Sequence, residues 1–254
     1  MLELNKPYLG DCLELMKDID DNSIDMILCD LPYYKIIKED WDNNWKTEKI
    51  YLNWIELMII EYNRILKDNA NIFLFTSRQY NNNISILLNK YFTEKRTIIW
   101  ARKRNFNNTR GKSLSSGYEP ISYYSKGNAI FNNIKIKIIS KRKEYLTGYL
   151  KNGISLSDVW IDIPSLPHNS KEKLKHPTQK PLKLIERIIN LGSNPGDLVL
   201  DNCAGSGTTG VACINTNRNF ILMEKNPEYF KVIEERLKNI KVNQKHKFSE
   251  FIKD

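Results

Sequence analysis

Short apolar runs that end in polar or turn residues alternate along the chain with segments of helical periodicity. The runs predicted as strands cover 23–30, 70–77, 96–103, 119–126, 198–201 and 219–224, and the predicted helices cover 54–66, 84–92, 181–192, 210–217 and 227–240. This alternation is typical of an α/β protein built on a parallel sheet. Gly192 is the expected stop of the third predicted helix. The segment 127–172 lacks a clear pattern, which predicts an inserted subdomain.

Positive charge is concentrated in the middle third of the chain. The whole sequence of 254 residues has a formal net charge of +9, whereas the stretch from Lys95 to Lys183 carries 19 basic and 5 acidic residues. Lysine and arginine gain affinity for nucleic acids by displacing counterions from phosphates. We therefore expect this region to contact nucleic acid. The predicted contacts are Arg102, Lys103, Arg104, Arg110 and Lys112.

The composition disfavours several classes of protein. The four cysteines, Cys12, Cys29, Cys203 and Cys213, are widely spaced and include no CxxC pair. With only 3 histidines beside them, this spacing disfavours a zinc site and a disulfide framework. No run approaches the roughly 20 apolar residues of a membrane-spanning helix, and the start lacks the layout of a secretory signal. We predict a reduced, cytoplasmic protein with no bound metal and no membrane association.

Residues 201–210 read DNCAGSGTTG and lie between a predicted strand and a predicted helix. Gly205, Gly207 and Gly210 match the pattern GxGxxG, in which glycines let a ligand approach the backbone. Glu224 ends the next predicted strand, where a carboxylate meets ribose hydroxyls. The turn suits three ligands: a nicotinamide dinucleotide, a flavin dinucleotide or S-adenosylmethionine. The late position of this unit in the chain is unusual for a dehydrogenase.

The residues Asp30-Leu31-Pro32-Tyr33 directly follow the first long predicted strand. A turn of this kind can simply end a strand, but its groups also suit the chemistry of an exocyclic base amine. The lone pair of such an amine is delocalised into the ring, and two acceptors aimed at its hydrogens would free it. The Asp30 carboxylate and the Leu31 carbonyl would serve as acceptors, the Tyr33 ring can stack on a base, and Pro32 stiffens the turn.

Several segments resemble the β class of amino-methylating DNA methyltransferases. DLPY (30–33) resembles their (D/N/S)PP(Y/F) motif, and DNCAGSGTTG is similar to their DPFxGSGTT turn. KHPTQKP (175–181) and GDCLELM (10–16) resemble two further segments of the family, in the same order along the chain. The chain departs from the pattern at Leu31, which replaces the first Pro, and at Asn202 and Cys203, which replace Pro-Phe. Because position 31 contributes its carbonyl, we expect activity to survive the change to Leu31. The change to Asn202 and Cys203 is expected to act on the packing around the cofactor.

The resemblance implies a fold and a role for each matching residue. The implied fold is the Rossmann-like fold of S-adenosylmethionine-dependent methyltransferases, with a circularly permuted motif order and an inserted target-recognition region. The implied target-amine site consists of Asp30, Leu31, Pro32 and Tyr33. The implied cofactor contacts are Gly205, Ser206, Gly207 and Thr208 at the methionine part, Asp201 at the strand end, Glu224 at the ribose, Asp11 and Cys12 at the adenine, and Lys180 near the carboxylate.

The same resemblance predicts the activity. We expect methyl transfer to N6 of an adenine flipped out of double-stranded DNA, in a restriction–modification context. The expected catalytic and cofactor-binding domain covers 1–126 and 173–254, and the basic target-recognition region covers about 104–172, overlapping the first segment. A homodimer and a cognate restriction endonuclease, not stably bound, are the other expected partners.

Other functions remain open from the sequence. The alternative base is cytosine, methylated at N4, and an RNA or protein methyltransferase is a more distant alternative. A nicotinamide-dependent oxidoreductase would share the glycine turn but has no use for DLPY or the basic region. A DNA-binding protein without catalysis would keep the basic region but would not bind S-adenosylmethionine.

Overall fold

A computed structural model of the protein describes residues 2–102, 116–136, 153–167 and 169–251. The strands are β1 (Lys6–Leu9), β2 (Ile24–Asp30), β3 (Leu66–Phe75), β4 (Thr93–Ala101), β5 (Tyr118–Ser125), β6 (Lys135–Ile136), β7 (Ile154–Ser155), β8 (Val159–Trp160), β9 (Leu198–Asp201) and β10 (Asn219–Glu224). The helices are α1 (Cys12–Met16), α2 (Glu48–Ile65), α3 (Asn81–Leu88), α4 (Leu182–Gly192), α5 (Thr208–Asn215) and α6 (Pro227–Phe251). None of these described helices is long and apolar enough to cross a membrane.

Eight of the strands form one mixed sheet in the order β1-β10-β9-β2-β3-β5-β4-β8. The five strands from β1 to β3 run parallel, whereas β5 pairs antiparallel with both β3 and β4. The connections from β9 and from β2 lead in opposite directions across the sheet. Ligands of open α/β sheets bind at such a point, outside the carboxyl ends of the strands. The fold therefore favours a site where β9 and β2 end.

Both faces of the sheet are covered, which explains why the central strands are almost continuously apolar. In β2, Ile27 and Cys29 pack with α1, α2 and α3, whereas Met26 and Leu28 pack with α4, α5 and α6. The four side chains are at most 1% exposed. The result is a three-layer α/β/α architecture with one hydrophobic core on each side of the sheet.

The local predictions were accurate in kind but not always at the ends of the elements. Helix α2 begins at Glu48, because Thr47 accepts a hydrogen bond from the Ile50 amide and caps a polar first turn that the apolar pattern does not reveal. The predicted end of α4 at Gly192 was confirmed. Gly192 is the last residue of α4, and a Cβ there would lie 2.5 Å from the Phe73 ring.

The described part of the predicted inserted region packs on the main sheet. Strand β8 pairs in parallel with the carboxyl-terminal end of β4, and the Trp160 side chain is only 2% exposed. The Trp100 indole donates a hydrogen bond to the Ile163 carbonyl at 2.8 Å. The division into segments 1–126 and 173–254 and a region 104–172 stays a prediction. Trp160 and Ile163 share the core of the main sheet, whereas β6 and β7 pair in a separate two-stranded sheet.

Candidate active site

The Asp30 carboxylate lies at the carboxyl end of β2 and binds two side chains. The Tyr33 hydroxyl donates to Asp30 Oδ1 at 2.7 Å, and the Lys180 ammonium donates to Asp30 Oδ2 at 2.6 Å. Lys180 also donates to the Tyr33 hydroxyl oxygen at 2.9 Å, which closes a hydrogen-bonded triangle. The Lys180 side chain is only 6% exposed, whereas that of Asp30 is 22% exposed. The carboxylate is therefore held firmly and is still accessible.

The charges of this triangle depend on one another. Burial raises the pKa of Asp30, and the charge of Lys180 opposes that rise. Burial lowers the pKa of Lys180, but the carboxylates of Asp30 and Glu119 outweigh this effect and leave the pKa raised. The ammonium thus stays protonated at neutral pH and favours the ionised carboxylate. A carboxylate has about four acceptor positions, so Asp30 can accept further hydrogen bonds from a ligand.

The glycine turn between β9 and α5 presents its backbone to the end of β10. The Gly205 amide donates to Glu224 Oε2 at 2.8 Å, and the Asn226 amide donates to Glu224 Oε1 at 2.8 Å. Gly205 has a φ of +52°, and a Cβ there would meet the His176 ring at 2.8 Å. Both its conformation and its space require glycine at this position. Burial raises the pKa of Glu224, and the backbone donors oppose this rise.

Asp201 ends β9 beneath the same turn and is 5% exposed. Thr209 Oγ1 donates to Asp201 Oδ2 at 2.5 Å, and the Cys203 amide donates to Oδ1 at 3.2 Å. Burial raises the pKa of Asp201 to about 7, although these donors oppose the rise. Asp201 therefore fixes the shape of the turn and titrates near neutral pH.

We expect Asp201→Asn to make stability less dependent on pH. The pKa of Asp201 rises on folding from its ordinary value of 3.8 to about 7. This shift stabilises the fold fully below pH 3.8, and the contribution is lost as the pH rises through about 7. The melting temperature of the wild type should therefore fall relative to that of the variant across this interval. Asp18→Asn, at an exposed position, is the control, and a constant difference between wild type and Asp201→Asn would contradict the prediction.

The Asp30 triangle and the glycine turn open into one cavity of about 330 Å³. They meet because β2 and β9 are adjacent and parallel, with Met26 opposite Val199 and Ile27 opposite Leu200. Parallel neighbours end at the same edge of a sheet, so the turns that follow them lie side by side. The volume is in the range of small-molecule sites, which are concave, mostly apolar and lined by a few polar groups.

An aromatic wall closes one side of the cavity. The His176 ring stacks on Trp41 with 6.0 Å between ring centroids and meets the edge of Tyr229 at 4.6 Å. Burial lowers the pKa of His176 to about 3, so the imidazole is neutral at physiological pH. These three side chains line the cavity beside Gly205. Flat neutral rings next to polar backbone suit a ligand that has both aromatic and charged parts.

Comparison with known proteins identifies the family. The model of the DNA methylase family matches residues 24–235. The chain belongs to the DNA methylase family. The DNA adenine methyltransferase YhdJ of Escherichia coli is 36% identical over 237 residues, which cover 88% of this chain and 79% of that protein. The type II methyltransferase M2.MboI of Moraxella bovis is 29% identical, over 97% of this chain and 92% of that protein.

Solved structures share the fold of this DNA methylase. The M1.HpyAVI complex with S-adenosylmethionine is 30% identical, covers 91% of this chain and 98% of its own, and gives a TM-score of 0.63. The cytosine-N4-specific PvuII DNA methyltransferase gives a TM-score of 0.70 over 92% of this chain and 90% of its own, but at 20% identity it shows the fold alone. The predicted methyltransferase fold is thereby confirmed.

The structure of this DNA methylase brings most of the predicted site residues together. The cavity is lined by Asp11, Cys12, Asp30, Leu31, Pro32, Tyr33, Lys180, Asp201, Gly205, Ser206, Thr208 and Glu224. Gly207 does not line it, because this residue faces α6 and a Cβ would lie 3.0 Å from the Ile233 side chain. Asn202, which departs from the family motif, is buried and accepts a hydrogen bond from the Tyr62 hydroxyl at 2.7 Å. The roles of these residues stay predictions.

The predicted DNA contacts lie mostly outside the described residues. Lys103, Arg104, Arg110 and Lys112 fall in the undescribed segment. Arg102 is described, and its guanidinium binds within the protein: Nη1 lies 3.0 Å from Glu119 Oε1, and Nη2 donates to Ser116 Oγ at 2.7 Å. A DNA contact of Arg102 stays a prediction, but the structure also gives this side chain an internal partner.

Two acidic residues beside the DLPY turn were not predicted from the sequence. Asp42 is fully buried and accepts hydrogen bonds from the amides of Tyr33, Ile36 and Ile37. It therefore shapes the chain directly after the DLPY motif. Glu119 lies 3.4 Å from the Lys180 ammonium. The only sequence signal for Glu119 was its position as one of few acids in a basic region.

Proposed function

We propose that this DNA methylase transfers the methyl group of S-adenosylmethionine to N6 of an adenine flipped out of double-stranded DNA, at a specific sequence. The observation that carries the proposal is the cavity shared by the Asp30 carboxylate and the glycine turn. One side of this cavity offers acceptors for an amine, and the other offers backbone and a carboxylate for a nucleoside. A single small-molecule site with both halves suits transfer between two bound partners.

The residues of the cavity fit S-adenosylmethionine. Gly205 leaves room for close approach to the backbone, Glu224 would bind the ribose hydroxyls, and Asp11 with Cys12 would lie against the cofactor adenine. Lys225 binds Asp11 at 3.0 Å and fixes the carboxylate that caps α1. When bound, the cofactor supplies a methyl group activated by a positively charged sulfur. The ammonium of Lys180 is already shared by two carboxylates, and its predicted contact with the cofactor carboxylate stays open to test.

The chain's own residues prepare the amine for reaction. The Asp30 carboxylate and the Leu31 carbonyl would accept the two amine hydrogens, which returns the lone pair to the nitrogen. The Tyr51 hydroxyl donates to the Pro32 carbonyl at 2.8 Å and holds the turn in place. The ring of Tyr33 would stack on the base. Asp30 would then take the proton that leaves the nitrogen, directly or through water.

The relatives support adenine and a restriction–modification context. The relative at 36% identity is named a DNA adenine methyltransferase, and several others are named type II methyltransferases. The basic region from Lys95 to Lys183 favours DNA as the substrate. The homodimer, the companion endonuclease and the cytoplasmic location are further parts of this proposal.

Expression in a host that lacks DNA methylation tests the proposal. We expect N6-methyladenine when the host DNA is digested to nucleosides and analysed by mass spectrometry. Long-read sequencing of the same DNA would give the sequence context. The Asp30→Asn variant, expressed to the same level, is the control for background methylation. N4-methylcytosine as the only product would contradict the choice of adenine, and unmodified DNA would contradict the proposed activity.

A further inference from the structure

Glu119 joins the catalytic carboxylate to the start of β5. Its Oε2 lies 3.4 Å from the Lys180 ammonium, and its Oε1 lies 3.0 Å from the Arg102 guanidinium. The four charged groups form one row: Arg102, Glu119, Lys180 and Asp30. Their side chains are between 6% and 24% exposed, so water screens the charges only weakly.

The direction of β5 explains why Glu119 reaches this edge. Asp30 pairs with Phe75 of β3, and Phe75 pairs with Ile121 of the antiparallel β5. Glu119 comes two residues before Ile121, so the beginning of β5 lies beside the ends of β2 and β3. The Lys180 ammonium lies over the Phe75 ring, 5.0 Å from its centroid, between the two carboxylates.

We infer that Glu119 is a positioning residue for methyl transfer, acting by sharing the Lys180 ammonium with Asp30. The inference rests on the function proposed above. The row contains two positive and two negative groups, so its charges balance. Lys180 is shared by both carboxylates and is not bound by Asp30 alone. Because Lys180 is divided between two carboxylates, Asp30 remains a strong acceptor for an amine.

Removal of the Glu119 charge should change the acceptor strength of Asp30. With Gln at this position, the ammonium would be drawn to Asp30 alone and would compete with the amine hydrogens for the carboxylate. The guanidinium of Arg102 would also lose its anionic partner. Both effects place more positive charge near Asp30 and make its oxygens poorer acceptors.

The charge environment of Asp30 gives the direction of the change with pH. Lys180 and Tyr33 lower its pKa, and Glu119 raises it. Asp201 also faces Asp30 from the end of β9, and Cys29 precedes it in β2. Removing the Glu119 charge should therefore lower the pKa of Asp30. The acid limb of the transfer rate should move to lower pH as a result, because a lower pKa keeps the carboxylate ionised further into acid.

Single-turnover methyl transfer to duplex DNA, measured from pH 5 to 9, tests the inference. We expect Glu119→Gln to lower the plateau rate roughly tenfold, the size of one lost hydrogen bond to a charged group. Its acid limb should lie at lower pH than that of the wild type. Glu119→Asp should recover part of the rate and of the wild-type pH profile. Glu94→Gln, an exposed acid in β4 away from the cavity, is the matched control and should match the wild type.

The outcomes separate this inference from the proposed function. An active wild type with an unchanged Glu119→Gln variant would overturn the inference alone. A slower variant with an unmoved acid limb would overturn it too, because a merely structural loss does not shift that limb. A wild type that methylates no DNA would overturn the proposed function, and the inference with it. If Glu119→Gln does not fold, Glu119→Asp takes its place, and a rate and an acid limb equal to those of the wild type would then overturn the inference.

Discussion

Replacing Asp30 by Asn should lower the single-turnover rate of methyl transfer about 1000-fold, within the range for loss of a positioned acid–base group. The amide keeps the size of the side chain but offers one acceptor oxygen, and its NH₂ group would face either the Lys180 ammonium or the Tyr33 hydroxyl. Both of these groups now hold the carboxylate at 2.6 and 2.7 Å. Affinity for S-adenosylmethionine should change less than about threefold, since Asp30 faces the amine side of the cavity.

Asp25→Asn is the matched control for this substitution. Asp25 lies in the same strand as Asp30, binds Lys67 at 2.7 Å and accepts from the Leu198 amide, far from the cavity. Equal loss of activity in both variants would indicate damage to β2 rather than to the acceptor. The loss of Asp30 also leaves the Lys180 ammonium with Glu119 alone, so the double variant Asp30→Asn with Lys180→Met removes that imbalance. Near-normal transfer by either Asp30 variant would contradict the assigned role.

The parts of the fold that sequence could predict depend on local patterns. Strands β2, β9 and β10 are apolar runs closed by Asp30, Asp201 and Glu224, and each predicted boundary agrees with the structure to within one residue. Strand β1 was missed because it has only four residues, of which none is buried. The antiparallel direction of β5 was also missed. Pairing direction depends on contacts between distant segments, which period and composition do not encode.

The same distinction between local patterns and distant contacts decides which site residues could be predicted from the sequence. The DLPY motif and the glycine turn directly follow strands, so their residues are read from short stretches of sequence. The contacts that tune Asp30 come from far along the chain, and Lys180 is 150 residues away. Glu119, whose Oε2 lies 3.5 Å from the Tyr33 hydroxyl, is 86 residues from Tyr33. Asp42 is nearer, but its role rests on backbone amides that only a folded loop directs at one carboxylate.

Glu224→Gln should weaken binding of S-adenosylmethionine roughly 100-fold. The two carboxylate oxygens accept from the Gly205 and Asn226 amides, and Glu224 lines the cavity. An amide would turn an NH₂ group toward a backbone donor or toward a ribose hydroxyl. Loss of hydrogen bonds to a charged acceptor costs about 1.5–3 kcal/mol each, which corresponds to a factor of 10 or more. Calorimetric titration measures the affinity directly, and Glu234→Gln, exposed on α6, is the control.

An analogue of S-adenosylmethionine that lacks the ribose hydroxyls distinguishes two roles of Glu224, which are binding of these hydroxyls and support of the glycine turn. If the carboxylate binds the hydroxyls, the wild type should lose affinity for the analogue, whereas Glu224→Gln should bind analogue and cofactor almost equally. If the carboxylate only shapes the glycine turn, the substitution should weaken both ligands by the same factor. The ratio of the factor by which the substitution weakens the cofactor to the factor by which it weakens the analogue measures the coupling of Glu224 to the hydroxyls. If there is no coupling, Glu224 does not contact the ribose hydroxyls. Its role would then be to hold the glycine turn, because its two hydrogen bonds to backbone amides would account for the whole loss of affinity.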